Sequence, residues 1–242
     1  MERRGSAGVA TFFVDGTPAV GTGMALSDDA VKHARVRRLA AADPVRLTDG
    51  RGTLAYGTLR KLDHRVGEVD VQACELVDRP APLALLVPVA DRDRMLWLAE
   101  KAAELAVTDW RPVMYARSRS VSPRGEGPAF ARKLATRMRS ALEQSGGAWL
   151  PAMHAAQSLD EAIAACEASR GFVLDAGGAP LPSFAPFDAT AIAVGPEGGL
   201  EPVELDLLLS RGWRAASLGG TTLRFETAGI AAAAIVRAAQ GR

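Results

Sequence analysis

Apolar residues recur at two different periods along this chain, and the change of period divides it. From Val9 to Leu76 the apolar runs are short or alternating: Val9 to Val14, Val45 to Leu47, Gly52 to Leu62 and Glu68 to Leu76. Turn-forming residues separate them at Asp15-Gly16, Asp49-Gly50 and His64 to Gly67. Such runs predict strands. One helical stretch interrupts them near Asp28 to Leu39. Short strands at close spacing suggest a small β-barrel. In Asp78-Arg79-Pro80-Ala81-Pro82 the prolines remove backbone donors and favour an extended path, which predicts a linker.

Beyond the linker the pattern becomes strand, helix, strand. Leu83 to Val89 is continuously apolar, as a strand covered on both faces requires. Helices are predicted at Arg94 to Val107, with Met95, Leu98, Ala102 and Leu105 on one face, and at Pro128 to Ser145, stopped by Gly146-Gly147. Ser158 to Ala168 opens on a capping-box spacing, Ser158 to Glu161. Pro202 to Ser210 and Glu226 to Ala239 complete the helices. The strands between them are Arg111 to Tyr115, Gly171 to Leu174, Thr190 to Val194 and Ala215 to Leu218. Alternation of this kind predicts an α/β domain with a largely parallel sheet between helices. The expected domains are 1–78 and 79–242. No internal repeat or low-complexity tail is evident.

Composition narrows the class. With 242 residues, 48% hydrophobic and 24% charged, the chain can bury a sizeable core. A net charge of +1 does not announce a nucleic-acid partner, so local clusters must carry that argument. Two isolated cysteines, Cys74 and Cys166, and three scattered histidines fit neither a disulfide framework nor a metal site, and no metal is expected. The first ten residues lack the apolar core of a signal peptide, and no apolar run is long enough for a bilayer, so a soluble cytoplasmic protein with no membrane association is expected.

Two segments carry candidate chemistry. Val194-Gly195-Pro196-Glu197-Gly198-Gly199-Leu200 sits where a buried strand gives way to a helix, and its glycines let backbone groups approach a ligand. Leu218-Gly219-Gly220-Thr221-Thr222-Leu223-Arg224-Phe225-Glu226-Thr227-Ala228 repeats that arrangement in the next unit. Taken alone, each is also readable as a tight turn, with Glu226 or Thr227 as a helix cap and Arg224 as an ion-pair partner. Together they would open at one end of a parallel sheet. The dinucleotide fingerprint, the phosphate-binding lysine loop and the serine-hydrolase elbow are absent. Basic residues gather at Arg35, Arg37 and Arg38, at Arg60, Lys61 and Arg65, at Arg132, Lys133, Arg137 and Arg139, and at Arg111, Arg117, Arg119 and Arg124. Each cluster is either a solvated face or a set of phosphate contacts.

These two segments resemble the paired signatures of the RsmE-type ribosomal RNA methyltransferases of the SPOUT superfamily. Weaker similarities follow in the same order at His33 to Leu39, Glu100 to Val107, and Ala141 to Gly146 with Pro151. The resemblance implies an N-terminal PUA-like barrel that binds RNA and a C-terminal α/β domain with a trefoil knot. It implies a homodimer that uses S-adenosylmethionine to methylate N3 of a uridine in 16S RNA, with ribosomal RNA or the small subunit as partner. The implied cofactor residues are Leu174, Val194, Gly195, Pro196, Glu197, Gly198, Gly199, Leu218, Gly219, Leu223 and Thr227. The implied RNA contacts are Arg35, Arg37, Arg38, Arg132 and Arg137. Glu226 or Glu197 is the candidate proton acceptor, each also readable as a structural carboxylate, and Arg224 the candidate stabiliser of charge on the uracil. The chain departs from the family pattern at Thr221 and Gly147, where arginine is usual, at Asp91-Arg92, where Lys-Gly is usual, and at Leu96, where glutamate is usual. The competing readings are a relative with altered catalysis acting on another RNA, a non-catalytic RNA- or ribosome-binding protein, and an unrelated nucleotide-using α/β enzyme.

Overall fold

The computed structural model describes residues 9–120 and 125–241, and the chain divides by packing into two units. The first unit comprises Met1–Arg79 together with Arg139–Leu150. Its strands are β1 (Ala10–Phe13), β2 (Gly23–Ala25), β3 (Pro44–Thr48), β4 (Thr53–Leu62) and β5 (Gly67–Leu76), with α1 (Asp28–Val36) between β2 and β3. They form a mixed sheet in the order β1-β3-β4-β5-β2, in which β1 and β3 run parallel and the other pairs antiparallel. Phe12, Val31, Ala34, Leu47, Leu59 and Val69 form its core. The Ser27 hydroxyl caps α1 by accepting from the Ala30 N–H, and Asp28 and Asp29 lie in the first turn, where the helix dipole favours negative charge. The helix stops three residues short of the predicted Leu39, because Arg38 turns into the left-handed region at φ 59°.

Sequence periodicity assigns all of 79–242 to the second domain, but Arg139–Leu150 packs with the first unit. The Phe13 N–H donates to Glu143 Oε1 at 2.7 Å, and Thr48 donates to the Gly147 carbonyl at 3.1 Å. Trp149 Nε1 donates to the Val77 carbonyl at 2.9 Å. These bonds join residues roughly 70 to 130 apart in sequence, a separation that no local pattern encodes. Burial raises the Glu143 carboxyl above its usual range, with the Phe13 N–H working against that shift. At Gly147, one of the departures, an added Cβ would lie 2.7 Å from the end of the Leu142 side chain, which would have to shift to admit a larger residue.

The second unit comprises Pro80–Met138 and Pro151–Arg242. In chain order it holds β6 (Leu83–Pro88), α2 (Arg92–Glu104), β7 (Asp109–Val113), α3 (Pro128–Ser145, its last turns belonging to the first unit), β8 (Ala152–Met153), α4 (Leu159–Ala164), β9 (Arg170–Pro180), β10 (Thr190–Ala193), α5 (Pro202–Ser210), β11 (Arg214–Ser217) and α6 (Phe225–Gln240). The strands form one fully parallel sheet in the order β11-β9-β10-β6-β7-β8. Every residue of β6 and β10 is buried, which is why those strands read as unbroken apolar runs. The helix α6 packs on α2, β6 and β10. The predicted capping box at Ser158 and Glu161 is present, but α4 ends at Ala164 rather than Ala168. Asp91 starts α2 two residues earlier than periodicity indicates, its carboxylate accepting from the Asp93 and Arg94 N–H groups. That substitution therefore serves as a helix cap, and Leu96, another departure, is buried on the same helix. The strands β2 and β8 are too short to leave a periodic signature, so the sequence pattern does not predict them. No helix among the described residues is long and apolar enough to cross a membrane.

In β9, Val173 pairs with Ala215 but the next paired residue, opposite Ala216, is Ala179. Residues 174–178 therefore leave the ladder as a wide bulge. Gly178 makes this path possible, since an added Cβ would lie 2.4 Å from the Ala215 and Ala216 backbone.

Candidate functional site

Three backbone segments of the second unit meet at the carboxyl ends of neighbouring parallel strands: the β9 bulge, the loop after β10 and the loop after β11. They enclose two adjoining clefts of about 260 and 150 Å³. Leu174, Asp175, Ala176, Thr222, Leu223 and Ala228 line both. Val194, Gly195, Pro196, Glu197, Gly199, Leu200 and Phe225 complete the larger, while Ala216, Ser217, Leu218, Gly219 and Thr221 complete the smaller. Gly199 and Gly219 have φ of +75° and +134°, so their turns demand residues without a side chain.

Most of the expected cofactor residues thus converge. Leu174, Val194, Gly195, Pro196, Glu197, Gly199, Leu218, Gly219 and Leu223 all line a cleft. Gly198 does not: the Cβ it lacks would point at the Arg117 side chain, 3.1 Å away, and its carbonyl accepts from Arg117. Thr227 is exposed on α6 outside the lining, and Arg224 is the exposed residue that begins that helix. Glu226 is buried outside the lining.

Charge in the site is one-sided. The described lining contains the carboxylates of Asp175 and Glu197 but no lysine, arginine or histidine. Such a cleft repels a polyphosphate and suits a ligand carrying positive charge and hydroxyl donors. Behind the lining, Arg94 of α2 pairs with Glu197, and its Nε lies 4.0 Å from Glu226 Oε1. The Glu226 side chain is only 6% exposed, and its Oε2 has no hydrogen-bond partner among the described residues. One guanidinium therefore ties the loop after β10 to the start of α6. Sequence reasoning missed Arg94, whose residue type on a half-exposed helix looks like an ordinary solvated charge. It also missed Asp175, although Asp175-Ala176-Gly177-Gly178 is itself a glycine-rich strand end. Among the described residues no group of three or more histidines, cysteines and carboxylates could hold a metal ion.

The basic clusters fare unequally. Arg35, Arg37 and Arg38 of the first unit are exposed, as is Arg132 of α3. Arg137 is engaged with Glu100 at 3.1 Å. Arg111, grouped in sequence with the loop arginines, is buried beside Asp109, 3.6 Å away, so it is part of the interior. Arg117 is held by Glu201 at 2.7 Å. The Arg119 side chain and Arg124, assigned to the same cluster, lie outside the described residues.

A family model described as RNA methyltransferase domain matches residues 77–237. Ribosomal RNA small subunit methyltransferase E of Synechocystis is 26% identical over 213 residues, covering 84% of this chain and 69% of that protein. A crystal structure of ribosomal RNA small subunit methyltransferase E from Neisseria gonorrhoeae, bound to S-adenosylmethionine, is 27% identical with a TM-score of 0.82, and the match covers 95% of this chain and 97% of that one. A Legionella pneumophila structure in complex with S-adenosylmethionine shares the fold at a TM-score of 0.84 and 23% identity, covering 96% and 98% of the two chains.

Proposed function

We propose that this chain, which belongs to the RNA methyltransferase domain family, methylates ribosomal RNA of the small subunit with S-adenosylmethionine as donor, and that its target atom is N3 of a uridine. The observation that carries this reading is the joined pair of clefts at the ends of the parallel strands, whose described lining is apolar and acidic and holds no basic residue. The residues present fit the donor. Leu174, Val194, Leu200, Leu223 and Phe225 offer apolar walls, the loop glycines offer close backbone approach, and the carboxylates match a cationic molecule rather than a phosphorylated one. When bound, S-adenosylmethionine supplies an electrophilic methyl group.

The rest is the work of the chain itself. Uridine N3 carries a proton between two carbonyls and lies on the pairing edge, so the base must be unpaired and deprotonated to react. Of the two candidate proton acceptors, Glu197 lines the larger cleft and Glu226 does not, so Glu197 takes the proton while Arg94 fixes its position. Glu226, being buried, helps to hold Arg94. Arg224 projects from the start of α6 and stabilises the negative charge that develops on the uracil oxygens. Arg35, Arg37, Arg38 and Arg132 contact phosphates.

The same reading includes a PUA-like barrel in the first unit, a trefoil knot in the second, a cytoplasmic location and a homodimer. On α6, Ile230, Ala231, Ala234 and Ile235 are only partly covered, leaving a face of small and apolar residues for a second copy.

The decisive experiment is methyl transfer to small ribosomal subunits from a strain lacking this modification, with the product nucleoside identified. Formation of 3-methyluridine by a protein of twice the chain mass in light scattering is the expected result. Transfer to another position, or only to another RNA, overturns the target, and a monomer with full activity overturns the dimer. In the same assay, replacing Arg35, Arg37 and Arg38 together with Ala should weaken RNA binding by roughly tenfold or more and flatten its salt dependence, because fewer counterions are released. Donor affinity should be unchanged. A triple variant that binds RNA like the parent at every salt concentration refutes that surface.

A further inference from the structure

The bulge in β9 carries a carboxylate that no described cation answers. Residues 174–178 leave the ladder, and Asp175 within them lines both clefts. Its Oδ1 accepts the Gly177 N–H at 2.8 Å, and it has no other polar or charged partner among the described residues. The second oxygen thus keeps its acceptor capacity. Glu197, the other acid of the lining, is already matched by Arg94. Gly178 fixes the bulge against the β11 backbone, so the carboxylate is held at the junction and does not swing on a free loop.

An ionised carboxylate accepts hydrogen bonds and donates none, so it selects a hydroxyl-bearing or cationic group. Position decides between these. Asp175 stands where the two clefts meet, and so faces the middle of a molecule that occupies both. In a nucleoside linked through its 5′ carbon to an amino acid, the middle presents the ribose, whose vicinal hydroxyls are a pair of donors. We propose that Asp175 is the residue that receives the ribose 2′ and 3′ hydroxyls and makes the site specific for a ribonucleoside. This inference rests on the reading of the clefts as the methyl-donor site.

The test is calorimetry on the full chain and on Asp175→Asn, with S-adenosylmethionine, S-adenosylhomocysteine, adenosine and 2′,3′-dideoxyadenosine. Adenosine and its dideoxy analogue are measured by displacement or at high concentration. Asparagine retains an oxygen for the Gly177 N–H, preserving the bulge, but turns an amide donor toward the hydroxyls. The variant should bind S-adenosylmethionine, S-adenosylhomocysteine and adenosine roughly tenfold or more weakly, by similar factors, because buried hydroxyls lose their acceptor. Its affinity for dideoxyadenosine should match the parent's. Weakening confined to S-adenosylmethionine would mean that Asp175 answers the sulfonium charge, and the proposal would fall. Equal affinities of variant and parent for all four ligands would also overturn it. A parent that bound adenosine but not S-adenosylmethionine would sink the proposed function, while the adenosine pair would still decide the role of Asp175.

Discussion

Replacing Arg94 with Ala should lower kcat/KM by about 100-fold and destabilise the second unit by about 2 kcal/mol. Both effects follow from one geometry. Arg94 pairs with Glu197 in the loop after β10 and lies 4.0 Å from Glu226 at the start of α6. Truncation leaves the Glu226 carboxylate, 6% exposed and with one oxygen unpartnered among the described residues, as a buried charge without its cation. Breaking a fully buried pair costs about 3–5 kcal/mol, and the smaller figure reflects Arg94 being 32% exposed. The loss of rate comes from the other arm, because Glu197 is released from the position in which it faces the cleft. The two arms separate in a double variant. Adding Glu226→Gln to Arg94→Ala should restore most of the stability, since no charge remains buried, yet leave kcat/KM low. Arg94→Lys should recover part of both, keeping the charge but not the fork that reaches two carboxylates. Urea denaturation followed with kinetics on the four proteins is the check. An Arg94→Ala protein as stable and as active as the parent would show that the ion pairs carry neither effect.

Replacing Arg237 with Met should cost about 2 kcal/mol of stability with little effect on the clefts. Arg237 sits near the end of α6 and donates to backbone carbonyls that have left regular structure: Leu105 at 3.2 Å, Ala106, and Ala81 in the linker, with the Gln240 side chain at 2.6 Å. Among the described residues no carboxylate balances it, and burial pulls its pKa down to about 10, still high enough to keep it charged at neutral pH. Methionine fills the space of the aliphatic stem but leaves the part-buried Leu105 and Ala106 carbonyls without their donor, at about 1 kcal/mol each, while the exposed Ala81 carbonyl turns to water. Arg237 lines neither cleft, so ligand affinity of the folded variant should match the parent's. A denaturation midpoint within error of the parent's would mean that water replaces the guanidinium at no cost.

Much of the second unit was legible in the chain itself. The ends of α3 and α5 fall where apolar spacing, Pro202 and Gly146 place them, because capping and periodicity are local effects. The apolar runs of β6 and β10 announced strands buried on both faces, and the glycine-rich segments after β10 and β11 announced backbone that must approach something closely. What tertiary structure decided has a common cause: partners distant in sequence. Arg111 resembled the solvated arginines around it until the sheet buried it beside Asp109. Arg139–Leu150 continued a helix of the second unit but joined the first through bonds donated by Phe13 and Thr48 and one that Trp149 donates to the Val77 carbonyl. Glu226 read as a helix cap or a proton acceptor, and only the tertiary structure buried it at the start of α6 and set Arg94 against it. Asp175 lay just past the predicted strand Gly171 to Leu174, and only the mismatch of Val173 and Ala179 against β11 brought it to the clefts. Periodicity specifies which face of an element avoids water. It does not specify which charge that face meets, and the proposed preference of this site for its ligand rests on that arrangement of charges.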